Sequence, residues 1–179
     1  MSGIKHQSHT QAALAALALI AVLGMIALPV AARPPAWKGA ETFSLLAAGP
    51  APERCGPAPR FLEARFAGSG IDTAGGTFAV TASGCRDTVE QMLFDMEATD
   101  TFADGALHIA PDDVALVIDP ATCVATNAHP VAFTVAGGTG RFAGATGRGT
   151  FDLAMTEPGC GAAPQPVHVW FSGRLQLPR

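Results

Sequence analysis

The chain contains no tyrosine, and aromatic residues make up only 7% of it. Surfaces that recognise sugars or partner proteins through broad polar contacts lean on Tyr and Trp, so this sequence is poorly equipped for that work. Charge is also sparse: charged residues are 15% of the chain and lie scattered rather than in blocks. There are 11 basic against 15 acidic residues, a formal net charge of −4, with no basic stripe. That balance speaks against a nucleic-acid partner. No G-x-S-x-G elbow surrounds Ser44, Ser69, Ser83 or Ser172, which leaves a hydrolase triad without support. No Lys-Ser or Lys-Thr pair closes a glycine loop, so a P-loop is excluded.

What the chain has in quantity is apolar residues, at 49%. The longest run, Ala12–Val30, follows a single formal charge, Lys5, and ends in Pro29, Val30, Ala31 and Ala32. Small residues at Val30 and Ala32 fit a signal-peptidase site, with the mature chain starting near Arg33. Residues 1–32 are therefore expected to be a signal peptide that exports the protein to the periplasm or beyond. The competing reading is a retained anchor, since the run is about long enough to span a bilayer. The proline and the small-residue ending favour cleavage. No Cys closes the run for lipidation, and no Arg-Arg pair marks twin-arginine export. Membrane contact is expected only through this segment before cleavage.

Residues 33–179 suit a single domain with a real core. All four cysteines, Cys55, Cys85, Cys123 and Cys160, fall there. An even count in an exported chain predicts two disulfides. The midpoint of Cys55 and Cys85 lies close to a turn at Asp72–Gly76, and that of Cys123 and Cys160 falls at Arg141–Phe142. If each turn closes a hairpin, Cys55–Cys85 and Cys123–Cys160 are the pairs. A zinc site is disfavoured because no two cysteines are close in sequence and no His follows at finger spacing.

Arg33–Lys38 is Pro-rich and reads as an extended, mobile lead-in. Short alternating segments follow: Glu41–Ala47 with Phe43 and Leu45 on one face, Phe61–Gly70 with Leu62, Ala64 and Phe66, and Thr77–Ala82 with Phe78 and Val80. Thr88–Met96 could start a helix. Yet Phe94, Met96, Ala98 and Phe102 alternate with polar residues, a strand pattern broken only by Asp100. Ala106–Ala110, Val114–Ile118, Pro130–Ala136, Gly149–Thr156 and Val167–Leu177 complete about eight or nine strands, separated by Gly and Pro turns. An all-β barrel or sandwich follows, and closure into a barrel removes the edges an exported protein must otherwise protect.

The most motif-like stretch is Val135–Phe151, VAGGTGRFAGATGRGTF. It contains G-x-G-x-x-A, a variant of the dinucleotide fingerprint. That chemistry needs the glycines to open a helix, and Gly144, Gly147 and Gly149 would break one. The expected role of Gly137, Gly138, Gly140, Phe142, Gly144 and Gly147 is a tight structural corner, with Phe142 plugging the barrel end and Arg141 exposed. The stretch resembles the G-G-[TS]-G-x-F-x-G-A-x-G signature of allene oxide cyclase-like and dirigent-like β-barrels, especially exported bacterial proteins of that class. The resemblance covers about fifteen residues. It implies an eight-stranded antiparallel barrel with an apolar cavity. Characterised members cyclise or steer reactive small molecules, or act as scaffolds. None of their catalytic residues maps onto a position here, so activity does not carry over.

His108, His129 and His168 show no helical i, i+4 pairing, and with nearby acids they are the candidates for a metal or acid–base site. Glu63, Arg65, Asp95, Glu97 and Asp152 stand opposite the apolar faces and read as the outer surface of a barrel; the inverse reading makes them line a polar lumen. Phe43, Phe66, Phe78, Phe94, Phe133, Phe151 and Phe171 read as core, with a ligand-lined cavity as the alternative. No cofactor and no metal are expected. Two functions fit: a secreted non-catalytic barrel binding a small apolar ligand or an envelope partner, or a cofactor-free cyclase or isomerase working on a small hydrophobic substrate in the barrel. Oligomeric state is not encoded in any marked surface.

Overall fold

A computed structural model describes residues 36–157 and 166–178. The expected signal peptide, its cleavage point near Arg33, and Cys160 lie outside the described residues. Ten strands run in order: β1 (Ala36–Gly49), β2 (Phe61–Asp72), β3 (Gly76–Asp87), β4 (Met92–Phe102), β5 (Gly105–Pro111), β6 (Val114–Asp119), β7 (Val124–Asn127), β8 (Val131–Gly140), β9 (Thr146–Thr156) and β10 (Val167–Gln176). Every pairing is antiparallel. Among the described residues there is no helix, so none is long and apolar enough to cross a membrane.

Strands β10, β1, β2, β3, β4, β5, β8 and β9 close on themselves as an eight-stranded barrel, because β9 pairs with β10. The two extra strands are not appendages. β4 pairs with β5 over Ala98–Phe102 but with β6 at Met92–Leu93. β9 pairs with β8 over Gly147–Phe151 but with β7 at Ala154–Thr156. Six strands are thus shared by two stacked rings. β5 and β8 complete the ring at the end that holds the glycine corner, and β6 and β7 complete it at the other end, here called the mouth. Closure leaves no free edge in either ring.

Alternation along each strand decides what faces inward. On β1 the inward set is Trp37, Gly39, Glu41 and Phe43; on β10 the residues opposite are Gly173, Phe171, Val169 and Val167. The buried core divides into two clusters. The larger holds Trp37, Phe43, Phe66, Phe78, Phe102, Phe133, Phe142 and Phe171, and the smaller, toward the mouth, holds Leu93, Val114, Leu116, Val131 and Leu153. Rings fit inside so narrow a barrel because the facing wall is bare at key points. Phe171 lies over Gly39 and Phe133 over Gly149, where any Cβ would collide with the ring.

Three expectations need correction. Among the described residues there is one disulfide, where two were expected in the chain: Cys55–Cys85 is formed, with Cα atoms 5.4 Å apart, while Cys123 is a half-buried free thiol and Cys160 lies outside the described residues. The hairpin symmetry held for the first pair because β2 and β3 stay in register from Phe61–Asp87 to Asp72–Gly76. Around the glycine corner the hairpin itself is shorter than the symmetry assumed: β8 and β9 pair over Val131–Val135 with Phe151–Gly147, and Cys123 sits before β7, which pairs with the far end of β9. The Pro-rich lead-in is not mobile throughout: β1 begins at Ala36, and Trp37 is buried with its indole N–H donating to Asp72 Oδ2 at 2.7 Å. Leu45 keeps the inward parity of Phe43, directly opposite Phe66 and ahead of the bulge between Leu45 and Ala47, although it is 44% exposed. Phe94 is not core, because a second bulge, with Asp95 at φ 49°, turns it onto the outer face against Phe61.

Candidate functional site

A cavity of about 90 Å³ lies inside the barrel between the two core clusters. Trp37, Phe43, Phe66, Phe133 and Phe171 form its aromatic side, and Leu93, Val114, Leu153, Met96 and Met155 close it toward the mouth. Two acids interrupt this apolar wall, Glu41 from β1 and Asp100 from β4. Strand register puts them there. Glu41 is two residues before Phe43, opposite Gly70 on β2 and Val169 on β10. Asp100 stands between Val80 on β3 and Leu107 on β5, all three on the inner face.

The two carboxyls are held in an unusual state. Burial, then the charges of Asp100 and Asp72, push Glu41 up to about 8. Burial, then the charge of Asp72, pushes Asp100 up to about 7. Asp100 is only 1% exposed, and its Oδ1 has no hydrogen-bond partner among the described residues. Asp72, a third buried acid, is different. Its Oδ2 accepts from Trp37 and its Oδ1 accepts from the backbone N–H groups of Ala74 and Gly75 at 2.9 and 2.5 Å. Asp72 is thus a satisfied structural group that ties β1 to the β2–β3 turn, whereas Glu41 and Asp100 are left facing the cavity.

Both ends of the barrel are closed by side chains. At the corner end Phe142 is fully buried, 4.7 Å from Phe102 between ring centroids. Arg141 stays exposed, its guanidinium 4.5 Å over the Phe142 ring and 3.1 Å from Asp104. Gly140, at φ 57°, and Gly144, at φ 77°, make the chain reversal around that plug. Gly137 has φ 144°, Gly138 packs against the carbonyl oxygens of Ala106 and Phe142, and Gly147 lies beneath Arg174 and Val135. At the mouth, Arg86 on β3 faces inward opposite Leu93 on β4 and donates to both oxygens of Glu157 at 2.8 Å. Both side chains are mostly buried, at 14% and 13% exposure.

The other candidates do not come together. His108 and His168 sit on outward positions of β5 and β10, beside Thr99 and Thr42, and His129 is exposed after β7. Among the described residues no group of three His, Cys, Asp or Glu side chains can hold a metal ion. Glu63, Asp95 and Glu97 gather around Arg54 at 2.9, 2.8 and 3.5 Å on the outer face, with Arg65 on Glu63 at 2.8 Å. Asp152 is exposed and accepts from Asn127. These charges therefore coat the barrel and do not line it.

Glu41, Asp100 and Asp72 were not singled out by the sequence reading as site residues. A signal existed for two of them. Glu41 has the parity of Phe43, and Asp100 has the parity of Met96, Ala98 and Phe102. An acid in an inward register position is the mark of a buried carboxyl. No family model, curated protein or solved structure matches the chain.

Proposed function

We infer that the protein is a non-catalytic barrel module that takes up a small, mostly apolar molecule in its interior. The observation that carries this reading is the cavity itself: a void lined by rings and thioethers between two packed clusters, in a barrel sealed at one end by Phe142 and bridged at the other by Arg86 and Glu157. Dry apolar cavities inside packed proteins take up small apolar molecules such as benzene. The resemblance of Gly137–Gly147 to allene oxide cyclase-like and dirigent-like barrels supports the same reading. Work outside the reducing cytoplasm agrees with the Cys55–Cys85 disulfide and with the leader-like residues 1–32.

A cofactor-free cyclase or isomerase is the second reading. It draws on Glu41 and Asp100, two buried acids whose raised proton affinity suits general acid chemistry near neutral pH. Volume counts against it, since about 90 Å³, well under the roughly 300 Å³ of a pocket for a drug-sized molecule, holds a few carbons and leaves no room for a chain to fold and cyclise. Native mass spectrometry of the protein purified from its own host tests the leading reading. An added mass of a small molecule, lost on unfolding, is the expected result. A bare protein that also fails to take up small apolar molecules added to it overturns the reading.

A further inference from the structure

We propose that the cavity is a site for a compact alkylammonium ion, its N–H groups held by Asp100 and Glu41 and its carbon body by the aromatic wall. This rests on the cavity being a small-molecule site, and adds the charge and donor chemistry of the occupant. Three observations lead to it. Asp100 lines the cavity at 1% exposure and presents an oxygen without a donor. A buried carboxyl oxygen left unpaired is costly, so a ligand that brings an N–H there gains what a hydrocarbon cannot. Glu41 faces the same space, and no Lys, Arg or His is among the residues lining it, so neither acid has an internal counter-ion. Trp37, Phe43, Phe66, Phe133 and Phe171 supply ring faces, which attract an organic cation and repel an anion.

The alternatives fit less well. A neutral hydrocarbon fills the volume but leaves Asp100 Oδ1 unsatisfied. A metal ion would need a third ligand that the described residues do not gather. A volume of about 90 Å³ limits the ligand to a few carbons around the nitrogen. The charge states follow from the surroundings. Glu41 is faced by Asp72 from β2 and Asp100 from β4, while β10 offers only Val169. A bound ammonium ion would offset the repulsion and burial that keep Glu41 and Asp100 protonated, and so would draw protons off them. Affinity should therefore be higher at pH 8.5, where both acids ionise readily, than at pH 6.

Isothermal titration of the purified protein with isobutylammonium, with isobutanol as its uncharged counterpart and with benzene, tests the proposal at pH 8.5 and pH 6. The expected result is that isobutylammonium binds about tenfold or more tighter than isobutanol at pH 8.5. The preference should shrink at pH 6 and vanish in Asp100→Asn and in Glu41→Gln, while affinity for isobutanol is kept. Should Asp100→Asn fail to fold, Glu41→Gln and the pH pair decide the matter. If isobutanol or benzene binds as well as the ammonium ion at pH 8.5, the cation proposal is wrong and the apolar site stands. If none of the three binds, both fall.

Discussion

Arg86, near the end of β3, reaches across the mouth ring to Glu157, just beyond β9, with its Nη2 at 2.8 Å from each carboxylate oxygen. β3 and β9 lie on opposite sides of the ring that β6 and β7 complete, so this one ion pair spans the barrel. Arg86 is the cross-strand partner of Leu93, a member of the mouth-side cluster that also holds Val114 and Leu153.

The bridge should therefore be a mechanical element as well as a polar one. Arg86→Met leaves Glu157 mostly buried without its partner and should cost about 2 kcal/mol of stability. Amide exchange at Leu93 and Val114 should quicken more than at Leu107, which lies toward the plugged end. A chemical denaturation curve and an exchange map measure both; equal acceleration at both ends would place the bridge's effect elsewhere.

Stability should fall as pH rises from about 5 to about 8. Glu41 and Asp100 are raised in the folded chain, so the native state binds more protons than the unfolded one across that window, and each proton released on the way up disfavours folding. Their contribution is complete below the ordinary carboxyl range and is gone above about pH 8. Glu41→Gln should flatten the decline and raise Tm at pH 8.5 by on the order of 5 °C. At the acid end Asp87 acts in the opposite sense. Its bonds from Arg60, above all, hold it down to about 2, so its stabilisation is present above the ordinary carboxyl range and fades toward pH 2. Calorimetric scans from pH 3 to pH 9 resolve the two limbs.

Much of this was legible in the sequence, and the gaps have physical causes. Alternation in Phe61–Gly70, Thr77–Ala82, Gly149–Thr156 and Val167–Leu177 gave the strands and their inward faces, because a closed barrel leaves one face of each strand dry. Bulges are invisible to a period of two, so Phe94 was assigned to the wrong side. The double ring was beyond reach, since it depends on β4 and β9 each changing partner along their length. The cavity acids lay in plain view in the inward register, but Asp100 reads as a break in a pattern when it is a member of it.

The glycine corner makes a sharp prediction. A Cβ on Gly138 would sit 2.5 Å from the Ala106 carbonyl oxygen and 2.6 Å from that of Phe142, with rigid backbone on both sides. Gly138→Val should fold poorly or not at all. Phe142→Ala opens a void beside Phe102 and should cost about 3–5 kcal/mol. Expression yield and urea unfolding report on each; a Gly138→Val chain with an unchanged Tm would remove the corner from the account.

Among the described residues, the Cys55–Cys85 bond is the cross-link expected to matter for the fold. It closes a sequence separation of 30 residues, and its removal as Cys55→Ser with Cys85→Ser should cost about 3 to 4 kcal/mol. Cys123→Ser should leave Tm within about 2 °C, because the free thiol closes no loop. A non-reducing peptide map that joined Cys123 to another cysteine would reverse that expectation.

The central claim is that the barrel interior accepts a small apolar molecule, and methionine methyl groups report on it directly. Met96 and Met155 line the cavity, and Met92 does not. In a benzene titration followed by methyl carbon–proton NMR, the account predicts saturable shifts at Met96 and Met155 with Met92 unmoved. Methyl signals that stay fixed up to the solubility limit of benzene, or that move equally at all three residues, would contradict it.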